Sequence, residues 1–324
     1  MAERLVVLGA VPMVRRLEYL DVYLEGIRAG LKKGELETAL GERKRAFEVE
    51  KDLALGRGKP HRKDIGQAGK LIEYCARLSR ELRFVDRVGT SVRLLLDGRR
   101  YLDADLDVRR NMFAEAYSEA YPHLAIIIAS LLRLEGYEAL LPLNDKPFFR
   151  PEIEKIGISC NQMTFDTARD IATWLGLVNW HVEGLGADRR QRVYLCCRFV
   201  DGSNGSYSLR IKKRLGWFYV APSEVERVVF RNALWDAYMT VAEGVPGSPV
   251  FYSSVRERVC AALKIRDDQF AGEVMRMVDW DDIFQVIWSE GVLPFQRDSA
   301  SLLKSLPPKN EWDRYVVYLK IVRR

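Results

Sequence analysis

Apolar and polar positions between residues 151 and 197 follow two different periods. Apolar side chains first recur at steps of three and four residues, which predicts one buried stripe on a helix: Phe165, Ala168, Ile171, Ala172 and Leu175. Gly176 predicts the end of that helix. Two β-rich runs follow, at 177–180 and 193–199, and the segment between them, 184–192, is rich in glycine and arginine.

The order of helix, turn, helix, strand, basic turn and strand is typical of a winged helix-turn-helix. The first helix is predicted from Pro151 to about Ile156, and Gly157 supplies the turn. Such a unit exposes its second helix beside a basic hairpin, which fits a DNA major groove and the flanking phosphates. Its candidate DNA contacts are the polar side chains of the second helix and the arginines of the turn: Thr164, Thr167, Arg169, Arg189, Arg190 and Arg192. The alternative is a dimerisation or scaffold module in which these arginines are ordinary solvated charges.

A similar order is predicted upstream. Helical periodicity covers 14–29 and 67–80, and strand-like runs at 82–85 and 91–96 flank a turn. A polar turn around Gly98 is expected next, followed by a helix. Lys70, Tyr74 and Arg77 lie off the apolar face of the 67–80 helix, and the basic loop at 57–63 adds candidate phosphate contacts: Lys59, Arg62 and Lys63. The alternative for the loop is a solvated linker.

A second basic cluster follows the middle unit. Helices predicted at 105–121 and 123–134 support that unit, and His123 is expected in its core. A hairpin turn at 201–205 and alternation at 207–213 then predict strands, with a basic run that adds three candidates: Lys212, Lys213 and Arg214. These cations either extend the DNA-contacting surface or protect an edge strand from pairing.

The last third repeats the order more loosely. Helices are predicted from 222 to 242 and around Val259 and Val274, and strands at 283–288 and 315–322. Its acidic residues favour a solvated or protein-facing surface over a metal site: Asp279, Asp281, Asp282 and Glu290. The sequence thus predicts an α+β fold, mostly α with small β-hairpin wings. It would form three tandem winged helix-turn-helix domains, 1–104, 105–221 and 222–324, the last a possible protein-docking surface.

Composition permits an anionic partner without requiring one. The 324 residues are 48% hydrophobic and carry a net charge of +6. The most apolar window, 124–134, is too short to span a bilayer, and no signal peptide is apparent, so a cytoplasmic protein without membrane contact is expected. Five cysteines without CxxC spacing predict reduced thiols, and three distant histidines argue against zinc. No cofactor is predicted.

Three tandem units in a chain of this size resemble the DNA-recognition region of type IIS restriction endonucleases of the FokI kind. The resemblance rests on 70–103, on 114–134 around Tyr121-Pro122, and on 168–195 around the Trp174–Val178 run. In that family the first two units make most base contacts and the third faces the nuclease. The resemblance therefore implies a protein-docking third unit and these recognition-helix contacts: Lys70, Tyr74, Arg77, Thr164, Thr167 and Arg169. The nuclease is missing, because the spacing of a PD-(D/E)xK site occurs only at Glu42–Lys44, in a segment predicted to be helical.

No catalytic motif of another class was found, so an enzyme is not predicted. The predicted function is sequence- or shape-specific binding of double-stranded DNA, as a regulator or as the recognition subunit of a larger DNA-processing or defence system. The alternative is a winged-helix scaffold that assembles proteins. A weaker alternative is RNA or single-strand binding, for which no stacking aromatics can be identified from sequence.

Overall fold

The computed structural model describes residues 14, 17–54, 68–89, 91–142, 162–183, 190–202, 208–213, 215–278, 284–288 and 316–321. The fold is α+β, with helices interleaved among small antiparallel sheets. The helices are α1 Leu17–Arg28, α2 Lys33–Ala54, α3 Ala68–Glu81, α4 Leu96–Asp103, α5 Leu106–Ala120, α6 His123–Leu131, α7 Gln162–Trp174, α8 Arg227–Val241, α9 Tyr252–Leu263 and α10 Asp267–Val278. The strands are β1 Val85–Val88, β2 Ser91–Leu94, β3 Glu138–Pro142, β4 Val178–Glu183, β5 Arg190–Leu195, β6 Cys197–Phe199, β7 Leu209–Lys212, β8 Trp217–Pro222, β9 Val250–Phe251, β10 Phe284–Trp288 and β11 Val316–Ile321.

Three helices and a hairpin form the first region. Helices α1, α2 and α3 pack on one another, and α3 runs directly into the antiparallel pair β1–β2. The sequence predicts a buried face of Leu71, Cys75 and Leu78; Cys75 and Leu78 are buried, whereas Leu71 is half-buried and Ile72 is buried beside it. The helix predicted at 67–80 is therefore confirmed, whereas the first strand begins at Val85 rather than at residue 82.

The predicted polar turn around Gly98 is wrong, because these residues form helix α4. Burial of Tyr101 and Leu102 holds that helix against the first region. Gly98 itself is required by a close approach, since a Cβ at this position would lie 2.2 Å from the carbonyl oxygen of Phe84. The helix therefore packs directly on the backbone that leads into the hairpin.

Two further sheets share one topology. In the first, β5 lies between β3 and β4, and in the second, β11 lies between β9 and β10, with every pair antiparallel. In each, an early strand is followed by helix and then by two strands, the last of which lies in the centre. The early strands β3 and β9 were not predicted from the sequence. The basic turn predicted at 184–192 is too long, since β5 already begins at Arg190.

A fourth sheet, with β8 between β6 and β7, packs on helix α5. Helix α5 covers the edge strand β7 of this sheet. The backbone amide of Arg210 donates to Oδ1 of Asn111 at 3.1 Å, and that of Lys212 to Oγ of Ser118 at 2.7 Å. Two of the hydrogen-bonding groups that an edge strand would otherwise expose are thereby satisfied within the chain.

Buried apolar side chains form two clusters. One runs from Val14 to Val220 and joins the first region to the middle of the chain, and the other runs mainly from Phe230 to Ile321. Hydrogen bonds connect the middle of the chain, which belongs to the first cluster, to the last part, which belongs to the second. The side-chain amide of Asn179 donates to the carbonyl oxygen of Ile265 at 3.0 Å and to Asp267 Oδ1 at 2.9 Å.

Several local predictions are confirmed. Asp105 caps α5 by accepting from the Val108 amide at 2.9 Å, and Gly176, with φ of 75°, follows the end of α7. Helix α8 begins at Arg227, five residues after the predicted start. The described cysteines are free thiols, and no described helix is long and apolar enough to cross a membrane. The predicted helix at 151–156 and the acidic residues at 279–282 and 290 lie outside the described residues.

Candidate nucleic-acid interface

The outward face of α3 carries the upstream recognition candidates. Lys70 and Arg80 are exposed, and neither has an ion-pair partner among the described residues. Tyr74 is half-buried and packs at the edge of the core. Arg77 pairs with Glu81, one turn further on, with Nε of the arginine 3.0 Å from the carboxylate. Lys70, Tyr74, Arg77 and Arg80 therefore share one surface on the side opposite the buried stripe.

The hairpin β1–β2 continues this surface with arginines that sequence reasoning missed. Arg87 is exposed, and its Nε donates to the Gly89 carbonyl oxygen at 3.0 Å. Arg93 is 65% exposed, with its guanidinium 3.8 Å from Asp86 across the hairpin. Between helix and hairpin, the exposed Arg83 has a φ of 59°, a left-handed conformation that usually selects glycine at a helix end.

The helix α3 and its hairpin carry a net positive charge. Residues 70–93 contain six lysines and arginines but three carboxylates, so this segment supplies a formal +3 of the chain's +6. Residues 162–195 contain four arginines and four carboxylates, for a formal charge of zero. The segment 70–93 is thus better suited to a polyanion than the segment 162–195.

In the middle helix, α7, the predicted contacts lie inside the protein. Thr167 is fully buried, which corrects the expectation that it lies on an exposed polar face. Arg169 is 13% exposed and lies 3.3 Å from Asp170 and 3.7 Å from Asp166. Its Nη1 also donates to Gln191 Oε1 at 3.0 Å, and its guanidinium lies 4.5 Å from the centre of the Trp180 ring. These contacts neutralise and bury the arginine, because the helix packs this face against the sheet.

Arg192 is likewise bound within the sheet rather than free in a turn. Its guanidinium donates to both carboxylate oxygens of Glu183, at 2.6 and 3.1 Å, and also to Glu138. These hydrogen bonds from Arg192 hold the pKa of Glu183 below its ordinary value. Arg190, at the start of β5, is exposed and pairs in register with Glu183. Arg190 is thus the more exposed of the two, since the Arg192 side chain is 27% exposed and held by glutamates.

The β7–β8 hairpin places its cations over aromatic rings. Lys212 Nζ lies 4.6 Å from the centre of the Trp217 ring, and Lys213 Nζ lies 4.9 Å from that of Phe218. Neither lysine has a carboxylate partner in the described part of the chain. The guanidinium of Arg210 lies over the same Trp217 ring and pairs with Glu115.

The positions of the remaining candidate DNA contacts are not described by the structure. Lys59, Arg62, Lys63, Arg189 and Arg214 lie outside the described residues, as does the side chain of Thr164. Nowhere in the described ranges do three His, Cys, Asp or Glu side chains lie together so as to hold a metal ion. Arg87 and Arg93 could have been found from the sequence. In the middle unit, arginines in the hairpin after the candidate helix were taken as DNA contacts, and the same rule applied to the first unit selects these two.

Comparisons with known proteins give one weak likeness. No family model matches the chain, and no curated protein matches it. Among solved structures it is similar to restriction endonuclease FokI, at 14% sequence identity and a TM-score of 0.30, over 85% of this chain and 60% of that one. The chain thus spans less than two thirds of the length of FokI. Similarity at this level carries no argument for a shared fold or function.

Proposed function

We propose that this protein binds double-stranded DNA through the outward face of α3 and the hairpin β1–β2. The observation that carries the proposal is the segment 70–93, in which six cations outnumber three carboxylates and every cation except Arg77 is exposed. Lys70 and Arg80 on the helix, and Arg87 on the hairpin, are exposed and without ion pairs to described residues. Such cations release counterions when they neutralise phosphates, which is the main source of affinity for duplex DNA.

The arrangement suits a helix in the major groove. In this proposal the three-helix bundle and hairpin of the first region form a winged helix, with α3 as the recognition helix and β1–β2 as the wing. In this proposal Arg77, at the centre of the α3 face, and Tyr74, at its edge, contact base edges, while Lys70, Arg80 and Arg87 contact phosphates. The wing arginine then fixes the orientation of the helix along the duplex.

The middle and last regions are proposed to be winged helices as well. Their support is the shared sheet topology, an early strand, then helix, then two strands of which the last is central. Since the middle helix buries Thr167 and Arg169, this unit holds the structure together more than it contacts bases. We propose that the protein acts by binding, as a regulator or as the recognition subunit of a larger DNA-processing system.

Fluorescence anisotropy with a pool of random duplexes tests the proposal. The combined change Lys70→Ala, Arg80→Ala and Arg87→Ala removes three proposed phosphate contacts from exposed positions. We expect about 100-fold weaker binding near 50 mM salt, and a salt dependence of log K that is less steep by about 1 per cation removed. A matched control, Lys33→Ala, Arg258→Ala and Arg276→Ala, removes the same charge from other exposed positions.

The two variants separate local contacts from net charge. Weaker binding by the first variant alone supports the proposed surface. Equal weakening by both would show that only the overall charge matters and would contradict the site. Absence of duplex binding by the unmodified protein at low salt would contradict DNA binding itself.

A further inference from the structure

The hairpin β7–β8 ends in an exposed leucine between cations. Leu215 is 83% exposed, the most exposed large apolar side chain in the described part of the chain. The amide of Lys213 donates to the carbonyl oxygen of Gly216 at 3.1 Å, which closes the hairpin next to Leu215. Gly216 has a φ of 84°, which favours glycine there and helps to define a tight turn.

The two lysines beside this tip lie on opposite faces of the hairpin. Lys212 pairs in register with Trp217 and lies over its ring, whereas the next residue, Lys213, lies over the ring of Phe218. Because Trp217 and Phe218 are neighbours in β8, their rings lie on opposite faces of the hairpin, and each face has one ammonium group near the tip. Residues 209–222 carry four cations and no carboxylate.

This distribution of charge matches a groove of duplex DNA. The two phosphate backbones border a groove on both sides, so a ribbon that enters it tip-first needs a cation on each face. An apolar side chain at the tip then meets the edges of stacked base pairs, where leucine is one of the side chains that act as wedges. The centre of a protein–protein interface is depleted in charge, so lysines beside the apolar tip fit a groove bordered by phosphates better than a protein surface.

We infer that Leu215 is a wedge that inserts between base pairs and unwinds the duplex, while Lys212 and Lys213 bind the phosphates on either side. The inference rests on the proposed function, because it requires that the chain binds duplex DNA. It adds a distinct activity, distortion of DNA, at a site away from the α3 surface in sequence. No covalent step is involved.

A topology assay tests the wedge without knowledge of a preferred DNA sequence. Closed circular plasmid is relaxed by topoisomerase I in the presence of the full-length protein, and its linking number is measured after the protein is removed. We expect a reduced linking number that increases with bound protein. Leu215→Ala should lose most of this change, Leu215→Met should keep it, and Val228→Ala, at a position 68% exposed on α8, should behave like the unmodified protein.

Anisotropy on the same samples keeps the two proposals apart. If the protein binds duplex and Leu215→Ala binds with similar affinity but shifts the linking number less, the wedge is supported. If binding occurs without a shift, or with a shift that Leu215→Ala retains, the wedge is contradicted while DNA binding stands. If no binding occurs at low salt, both proposals fail.

Discussion

Two regions of this protein have the same local order, a helix followed by an antiparallel pair, but use their polar residues in opposite ways. In residues 68–94 the charged side chains of α3 and its hairpin face solvent. In residues 162–195 Thr167 and Arg169 are buried, and Arg192 is bound by two glutamates. The order of elements therefore indicates the architecture, whereas the charge balance and burial of the helix indicate whether it is available to a ligand.

The difference follows from what each helix packs against. Helix α3 buries one stripe on α1 and α2 and leaves its opposite face exposed. Sheet β3–β5–β4 covers α7 from one side through Gln191 and Trp180, and α6 also packs against this helix. A helix enclosed in this way contributes to stability, so changes in the two regions should separate stability from DNA affinity.

The largest expected effect concerns Asp267, which attracts the buried Arg256 within the last region and accepts a hydrogen bond from Asn179 of the middle region. Arg256 is 1% exposed, and Asp267 supplies the strongest attraction to its charge. Asp267→Asn should lower the free energy of unfolding by about 3 kcal/mol, because it leaves a buried charge without its main counter-charge. Chemical denaturation measures this loss. An unchanged midpoint would show that the contact does not stabilise the fold.

A somewhat smaller effect is expected from acid, which should loosen the first and middle regions together because they share one buried cluster. His123 is 1% exposed, and burial lowers its pKa from 6.5 to about 4. The unfolded chain therefore takes up a proton at higher pH than the folded chain, and stability falls as the pH drops from about 6.5 towards 4. Between pH 8 and pH 5 the loss should be about 2 kcal/mol.

The measurement for His123 is the difference between the unmodified protein and His123→Phe in denaturation midpoint at each pH. Carboxylates contribute equally to both proteins, so the difference isolates the histidine. The variant should be less sensitive to acid over this range. Parallel pH profiles would contradict a neutral, buried imidazole.

Arg169→Met should affect stability and leave DNA affinity unchanged. The variant loses the hydrogen bond to Gln191 and the contact with Trp180, which together should cost about 1.5 kcal/mol. Denaturation and anisotropy on the same preparation give the two values. Weaker DNA binding by a fully folded Arg169→Met protein would place the middle helix in the interface after all.

The smallest expected effect is opposite in sign. Arg83→Gly relieves the left-handed conformation at the end of α3 and should raise stability by about 0.5 kcal/mol, since greater chain entropy in the unfolded state offsets part of the gain. It also removes a cation from the proposed surface, so DNA affinity should fall about threefold. Arg83→Lys is the control, which keeps the charge. A lower free energy of unfolding in Arg83→Gly would contradict backbone strain at Arg83.

The sequence predicts the α+β class and most element positions because apolar spacing determines which face of a helix or strand is buried. The helix at 67–80 and the capped helix from Asp105 show this. The short strand β9 has too few residues to show a period, and β3 becomes a strand through pairing with β5. Thr167 and Arg169 were misplaced because polar spacing cannot reveal that a sheet covers the second face of a helix.

Hydrogen–deuterium exchange with and without duplex DNA tests most directly that the first region, rather than the middle one, binds DNA. It requires no substitution and reports on both regions in one sample. The account predicts slower exchange in peptides from 68–94 when duplex is added, and unchanged exchange in peptides from 162–195. Protection of 162–195 with 68–94 unchanged would contradict it.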